Sequence, residues 1–164
     1  QSGVTQGPLI DDRALAKVRR HVEDALSRGG RFANQAPLGT PRAPWYPATV
    51  IRDLDPASLL CREETFGPVA GLLRFEDEAE ALRLANDSAA GLAAYVYTRD
   101  LGRSWRVAER LQYGMVGINT GMVTTEVAPF GGIKESGYGR EGSRHGLDDY
   151  LELKTVCVEI GRAA

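Results

Sequence analysis

Cysteine and histidine are scarce in this sequence of 164 residues, with two of each, and the scarcity closes off several chemistries at once. Cys61 and Cys157 lie far apart, with no CxxC and no Cys/His cluster, so neither a zinc site nor a disulfide framework is encoded. His21 and His145 have no nearby nucleophile and no metal-spaced partner. The first reads as part of a polar helix face and the second as part of a glycine-rich turn, both solvated. No apolar run approaches the roughly 20 residues that span a bilayer. Gln1 to Gly7 has neither a basic nor an apolar leader region. Charge of one sign is also missing: 20 basic and 22 acidic residues are scattered to a net charge of -2, which offers no concentrated field to nucleic acid or to an anionic membrane. The expectation is a soluble chain of a reducing, cytoplasmic compartment. It opens on Gln1 instead of Met, as a processed chain or one cut from a longer polypeptide would.

What the sequence does contain is a regular alternation of elements. Asp11 and Asp12 precede Leu15, Val18, Val22, Ala25 and Leu26 at helical spacing, and Gly29-Gly30 supplies a stop, which predicts a helix over about 11 to 28. Pro37, Gly39, Pro41, Pro44 and Pro47 then predict a loop, followed by a short strand at Ala48 to Ile51. Pro68 to Phe75 reads as a buried strand. Asp77 to Asn86 reads as a helix with Ala81, Leu82 and Ala85 inward, and Ala93 to Thr98 as another strand. Asp100 can cap a helix whose Trp105, Val107, Ala108 and Leu111 face the core; Gly114 ends it, and Met115 to Asn119 gives the next strand. This βαβαβ order implies a parallel sheet and an α/β architecture. From Thr120 to Arg140 periodicity gives way to glycines, as in an ordered loop where such sheets place their sites. A short helical turn is expected near Glu141 to His145, and Tyr150 to Ile160 alternates as a strand would.

Gly137, Gly139 and Gly142 spell GxGxxG, with Glu159 about twenty positions on. The dinucleotide fingerprint, however, needs a strand running directly into the glycines and a full helix after them. Here a long loop precedes the glycines and Gly146 interrupts the segment after them, so turn glycines are the better reading. Cys61 comes after Leu59-Leu60 and reads as a small buried hydrophobe, and Cys157 as a strand-packing residue. Glu63-Glu64 before Thr65-Phe66-Gly67-Pro68 is harder to explain by packing, because two acids sit at a turn entering a buried strand. A carboxylate there can accept hydrogen bonds from two adjacent hydroxyls, the geometry of a ribose diol, with Phe66 as a flat wall beside it. A solvated helix-capping pair is the bland alternative. In Pro129-Phe130-Gly131-Gly132 an aromatic on a glycine hinge could likewise be core or pocket wall.

Three ordered motifs, Glu63 to Pro68 (EExFGP), Gly91 to Thr98 (GLAAxVxT) and Pro129 to Glu141 (PFGGxKxSGxGRE), resemble the C-terminal region of the aldehyde dehydrogenase superfamily. The resemblance runs from Gln6-Gly7-Pro8-Leu9-Ile10 to Val158. Asn119-Thr120-Gly121, Arg140 to Arg144 and Tyr150 to Lys154 look most like the succinate-semialdehyde branch. The resemblance implies that Glu64 binds the nicotinamide ribose hydroxyls of NAD or NADP, with Phe66 and Leu92 on the nicotinamide side. It implies that Phe130 lines the substrate tunnel and that Thr124 and Thr125 lie near the acyl chain or its distal carboxylate, where a hydroxyl can donate. It makes residues 1–146 part of the catalytic domain and 147–164 a bridging strand and tail, with Leu151 to Glu159 joining a sheet that holds oligomers.

The family's cysteine nucleophile lies upstream of Gln6 to Ile10, and no residue of this chain aligns with it. The general-base glutamate, the oxyanion-hole asparagine and the Rossmann-like cofactor domain are likewise unmatched, so no catalytic residue and no metal ligand is assigned here. In the complete family enzyme a thiolate attacks the aldehyde, the adduct passes hydride to NAD(P)+, and water releases the acid. The expectation is a portion of an enzyme oxidising a small semialdehyde such as succinate semialdehyde, inactive alone. Its rivals are a non-catalytic docking or dimerisation module of the same fold and, more remotely, a hydrolase using Cys61.

Overall fold

Asp11 sets where the first helix begins. In the computed structural model, which describes residues 3, 5–33 and 44–161, its extended backbone lets Oδ1 accept the Ala14 N–H at 2.8 Å and cap α1 (Asp12–Ser27). Leu15, Val18, Val22 and Ala25 are buried along one face. Gly29 ends the helix in the left-handed region, φ 97°, and the Gly30 N–H returns to the Ala25 carbonyl at 2.9 Å. Strand β1 (Arg31–Phe32) pairs antiparallel with β2 (Thr49–Arg52), which pairs in parallel with β3 (Val69–Gly71) in the register Thr49↔Val69. The helical stripe closes over β2: Ile51, with no exposed surface, shares a core with Leu15, Val18, Val22, Ala25, Tyr46 and Leu54. Pro37, Gly39 and Pro41, expected in a loop, lie outside the described residues.

One carboxylate ties this helix to the next. Asp24 accepts the Leu59 N–H of α2 (Leu59–Arg62) at 2.7 Å with one oxygen and the Arg28 guanidinium at 2.9 Å with the other. The Leu59 N–H first, and Arg28 second, hold its pKa below the ordinary value. A depressed carboxyl pKa contributes stability that is present above the unfolded value and lost as pH falls through the folded one. Thermal stability is therefore expected to drop between about pH 5 and pH 2. Asp24→Asn should be less stable at neutral pH and flatter across that window. Parallel melting curves for the two proteins would show the idea to be wrong.

The chain divides into two compact units, Gln1–Leu84 and Ala85–Ala164. Helix α3 (Glu78–Asn86) buries Leu82, with Ala81 and Ala85 partly covered, as its spacing predicts. In the second unit β4 (Ala90–Gly91) pairs antiparallel with β7 (Ile133–Lys134), while β5 (Ala93–Val96) and β6 (Met115–Ile118) pair in parallel, Ala93↔Met115 through Val96↔Ile118. Between β5 and β6 runs α4 (Leu101–Arg110), capped by Asp100 Oδ1 on the Arg103 N–H at 2.9 Å. The architecture is α/β. The expected single βαβαβ sheet is corrected in its first half: β3 takes β2 as its partner, and the described pairing that matches the expectation is β5–α4–β6.

Four further expectations need correction. Trp105 is 62% exposed, and the buried residue of α4 is Ser104, with Val107, Ala108 and Leu111 only partly covered. The periodicity identified the helix and its apolar stripe, but a stripe does not say that this chain covers it. The expected turn at Glu141 to His145 is a 3-10 helix at Arg144–Tyr150. The strand expected at Tyr150 to Ile160 is not formed: beyond that helix Leu151 to Gly161 is exposed throughout and carries no ladder among the described residues. Alternation of side chains is compatible with a strand, but only a hydrogen-bonded partner makes one. Cys157, in that segment, is exposed, not packed. No helix among the described residues is long and apolar enough to cross a membrane.

Candidate functional site

In the first unit the acidic turn is built on α1. The Glu63 N–H closes α2 on the Leu59 carbonyl at 2.9 Å, and the backbone there turns extended, φ -121° and ψ 145°. His21 on α1 has no exposed surface. Its Nδ1 lies 3.0 Å from Thr65 Oγ1 and its Nε2 3.2 Å from Glu63 Oε2, which also accepts from Arg20 at 2.8 Å. The expectation of a solvated His21 is overturned. The signal was present, because His21 stands three residues after Val18 and four before Ala25 and so falls inside the buried stripe.

Residues 63 and 65 thus both turn toward α1. Glu64 between them is exposed, with no hydrogen bond or ion pair on its carboxylate among the described residues. Phe66 sits next along the chain in the left-handed region, φ 52°, with its ring 82% exposed. A Cβ on Gly67 would collide with Val18 Cγ2, so only glycine lets the chain pass this close to the helix. An unpartnered carboxylate two residues from an exposed aromatic suits a vicinal diol that carries a planar ring. The residues present therefore fit a nicotinamide riboside.

In the second unit the glycine-rich loop starts where Asn119, φ 55°, clasps both backbone groups of Thr98, accepting from its N–H at 2.8 Å and donating to its carbonyl at 2.9 Å. Phe130 and Glu141 form an antiparallel bridge, N···O 2.8 and 2.7 Å, that folds the loop back on itself. Lys134, at φ 56°, donates from Nζ to the Asn86 and Ser88 carbonyls, 3.0 Å each, and so ties the loop to the end of α3. Ser136 Oγ accepts the Gly91 N–H at 2.9 Å. The Arg140 guanidinium spans the Gly132 and Gly139 carbonyls at 2.8 and 2.6 Å.

These ties surround a cavity of about 480 Å³ lined by Leu92, Phe130, Tyr138, Arg140, Asp149 and Tyr150 over glycine backbone. Leu92 and Phe130, both expected at the site, meet in this cavity. Thr124 and Thr125 do not line it; they are exposed on the loop, where Thr125 Oγ1 donates to Glu126 at 3.3 Å. Tyr138, Arg140 and Tyr150 join the lining, although none of them is a site candidate in the sequence and Arg140 and Tyr150 appear there only within family-like segments. Arg140 is legible there only as part of a motif, since nothing in its neighbours says that it holds carbonyls. Gly137, Gly139 and Gly142 all have positive φ, 100°, 79° and 64°, as turn glycines do, with no long helix behind them.

The remaining candidates stand apart. Cys61 is half-buried against the first unit's core and accepts from Ser58 Oγ at 3.4 Å. His145 is exposed and pairs with Asp148 at 3.0 Å. Among the described residues no group of His, Cys, Asp or Glu is arranged to hold a metal ion.

The sequence matches the model of the aldehyde dehydrogenase family over residues 1–156. It is 52% identical over 158 residues to the mitochondrial succinate-semialdehyde dehydrogenase of Arabidopsis thaliana, covering 96% of this chain and 30% of that protein. It is 51% identical over 160 residues to the glutarate-semialdehyde dehydrogenase of Pseudomonas putida, covering 98% and 33%. The crystal structure of an NADP-dependent enzyme of E. coli superimposes with a TM-score of 0.93 at 51% identity, over 98% of this chain and 33% of that one. The chain thus spans about a third of the length of the relatives it matches. With three motifs in order, a matched family model and a shared backbone, this chain belongs to the aldehyde dehydrogenase family.

Proposed function

We propose that this chain is the C-terminal third of an NAD- or NADP-dependent dehydrogenase that oxidises a small semialdehyde, succinate semialdehyde foremost, to its carboxylate. The observation that carries this reading is the identity of about half of all positions, along nearly the whole chain, to enzymes named for succinate and glutarate semialdehydes. Both are short aldehydes with a carboxylate at the far end. Residues 1–146 contribute to the catalytic domain, and 147–164 form the bridging segment. When bound, the cofactor accepts the hydride from the aldehyde carbon. Glu64 accepts the two ribose hydroxyls, Phe66 and Leu92 flank the nicotinamide, Phe130 walls the aldehyde, and Thr124 and Thr125 donate toward its distal carboxylate.

The exposed Leu151 to Glu159 segment would gain its missing ladder from a neighbouring subunit of a homo-oligomer. Its alternating Leu151, Leu153 and Thr155 on one side suit an added strand. Deleting residues 151–164 from the complete enzyme should lower the assembly mass measured by light scattering, and an unchanged mass would remove this element of the proposal.

Glu64→Gln tests the cofactor role. A neutral amide keeps one oxygen acceptor but replaces the other with a donor facing a hydroxyl. Loss of one charge-assisted hydrogen bond corresponds to roughly tenfold or more in cofactor affinity or in the rate of hydride transfer. Steady-state kinetics with varied cofactor, indistinguishable from wild type, would refute the assignment.

A further inference from the structure

We infer that His21 is the positioning residue for Glu64: by gripping the residues on either side of it, the buried imidazole aims the Glu64 carboxylate at the cofactor's ribose. The inference rests on the reading of Glu64 given above. An imidazole in an aliphatic helix stripe is costly unless both nitrogens find partners. Here they do, at Thr65 Oγ1 and Glu63 Oε2. A carboxylate only accepts, so Nε2 carries a proton toward Glu63. In the neutral ring Nδ1 then accepts from the Thr65 hydroxyl, and every group is satisfied without a net charge on the ring.

The consequence for Glu64 is geometric. Glu63 has extended backbone, along which side chains alternate, and with 63 and 65 held against α1 the side chain of Glu64 between them is left exposed. Arg20 adds a second bond to Glu63, but an ion pair between two side chains about half exposed holds its partners weakly. The buried ring is the stiffer hold. One turn earlier on the same helix, Val18 meets Gly67 and fixes the far side of Phe66. Val18 and His21 therefore pin the two ends of the segment carrying the free carboxylate and the exposed aromatic. A leucine at position 21 would fill the stripe as well, yet would leave this segment attached at one end only.

The test uses the complete enzyme proposed above, with affinity for the reduced nicotinamide cofactor read from its fluorescence and, separately, kcat and the aldehyde KM. His21→Leu removes both bonds. Thr65→Val removes one with little change of shape and leaves α1 intact, so it decides the matter if His21→Leu does not fold. Thr65→Val is expected to weaken cofactor binding about fivefold to tenfold, the loss of one buried hydrogen bond, and His21→Leu by at least as much, with the aldehyde KM unchanged in both. His21→Gln, whose amide can donate to Glu63 and accept from Thr65, should recover part of the loss. If Glu64→Gln binds cofactor weakly while His21→Leu and Thr65→Val bind it as wild type does, the ribose reading stands and the role of His21 is overturned, even if both variants melt earlier. If Glu64→Gln itself binds normally, both fall.

Discussion

Purified chain mixed with NAD+ or NADP+ and succinate semialdehyde is expected to form no reduced cofactor beyond a protein-free control. Hydride leaves an aldehyde carbon readily only after a nucleophile has added to it, and a thiolate is the family's means of doing so. Both thiols of this chain are accounted for otherwise. Cys61 is partly covered by the first unit's core with the Ser58 hydroxyl on its sulfur, and Cys157 stands in the exposed, unpaired tail. Neither lines the cavity that holds Leu92 and Phe130. Positioned walls without a reacting group orient a substrate but do not convert it. Turnover that copurifies with mass-verified chain would overturn the expectation, and its disappearance in Cys61→Ser would make Cys61 the nucleophile of that oxidation.

Gly114→Ala is expected to be the most damaging single methyl in the second unit. A Cβ at this position would overlap the Gly131 carbonyl and come within 2.8 Å of Gly132 Cα. Both obstacles are backbone, so no rotamer change relieves them. The residue cannot retreat either, because its N–H is bonded to the Gly91 carbonyl at 2.9 Å. Overpacking of this kind costs about 3 kcal/mol, or roughly 6 to 12 °C in Tm for a chain of this size. The glycine loop carrying Phe130 should lose amide protection first. Gly102→Ala is the control: its Cβ would meet only the side-chain ends of Arg106 and Asp100, and a helical site gains from alanine. Equal melting temperatures for the two variants would show that the second unit yields at Gly114.

How much of the fold is legible in the sequence depends on range. Helices α1, α3 and α4 and strands β5 and β6 are readable because caps and periodicity act over a few residues, and Asp11 and Asp100 cap where expected. Of the two acids that stand out, Glu63 is held by His21 and Arg20, while Glu64 stays exposed and unpartnered among the described residues. His21 misleads because a polar side chain in an apolar stripe suggests water, when two residues more than forty positions away supply its partners. Trp105 and the terminal segment mislead differently. Their patterns describe surfaces suited to being covered, and a pattern does not supply the cover: Trp105 and Leu151 to Gly161 are exposed. Arg140 is invisible as a wall because its role is to hold carbonyls whose positions only the folded loop defines.

The antiparallel register that joins Ala90 to Lys134 also orders events in time. It closes a long loop, and a closure of that length carries a chain-entropy cost before any contact offsets it. The β5–α4–β6 crossover is shorter and can form earlier. The cavity brings Leu92 beside β4 together with Phe130, Tyr138 and Arg140 around β7, so it is expected to close late in folding. Until then the backbone groups of Ala90 and Gly91 remain open to pairing with another molecule, and slow refolding at high concentration should lose material to aggregation at this step.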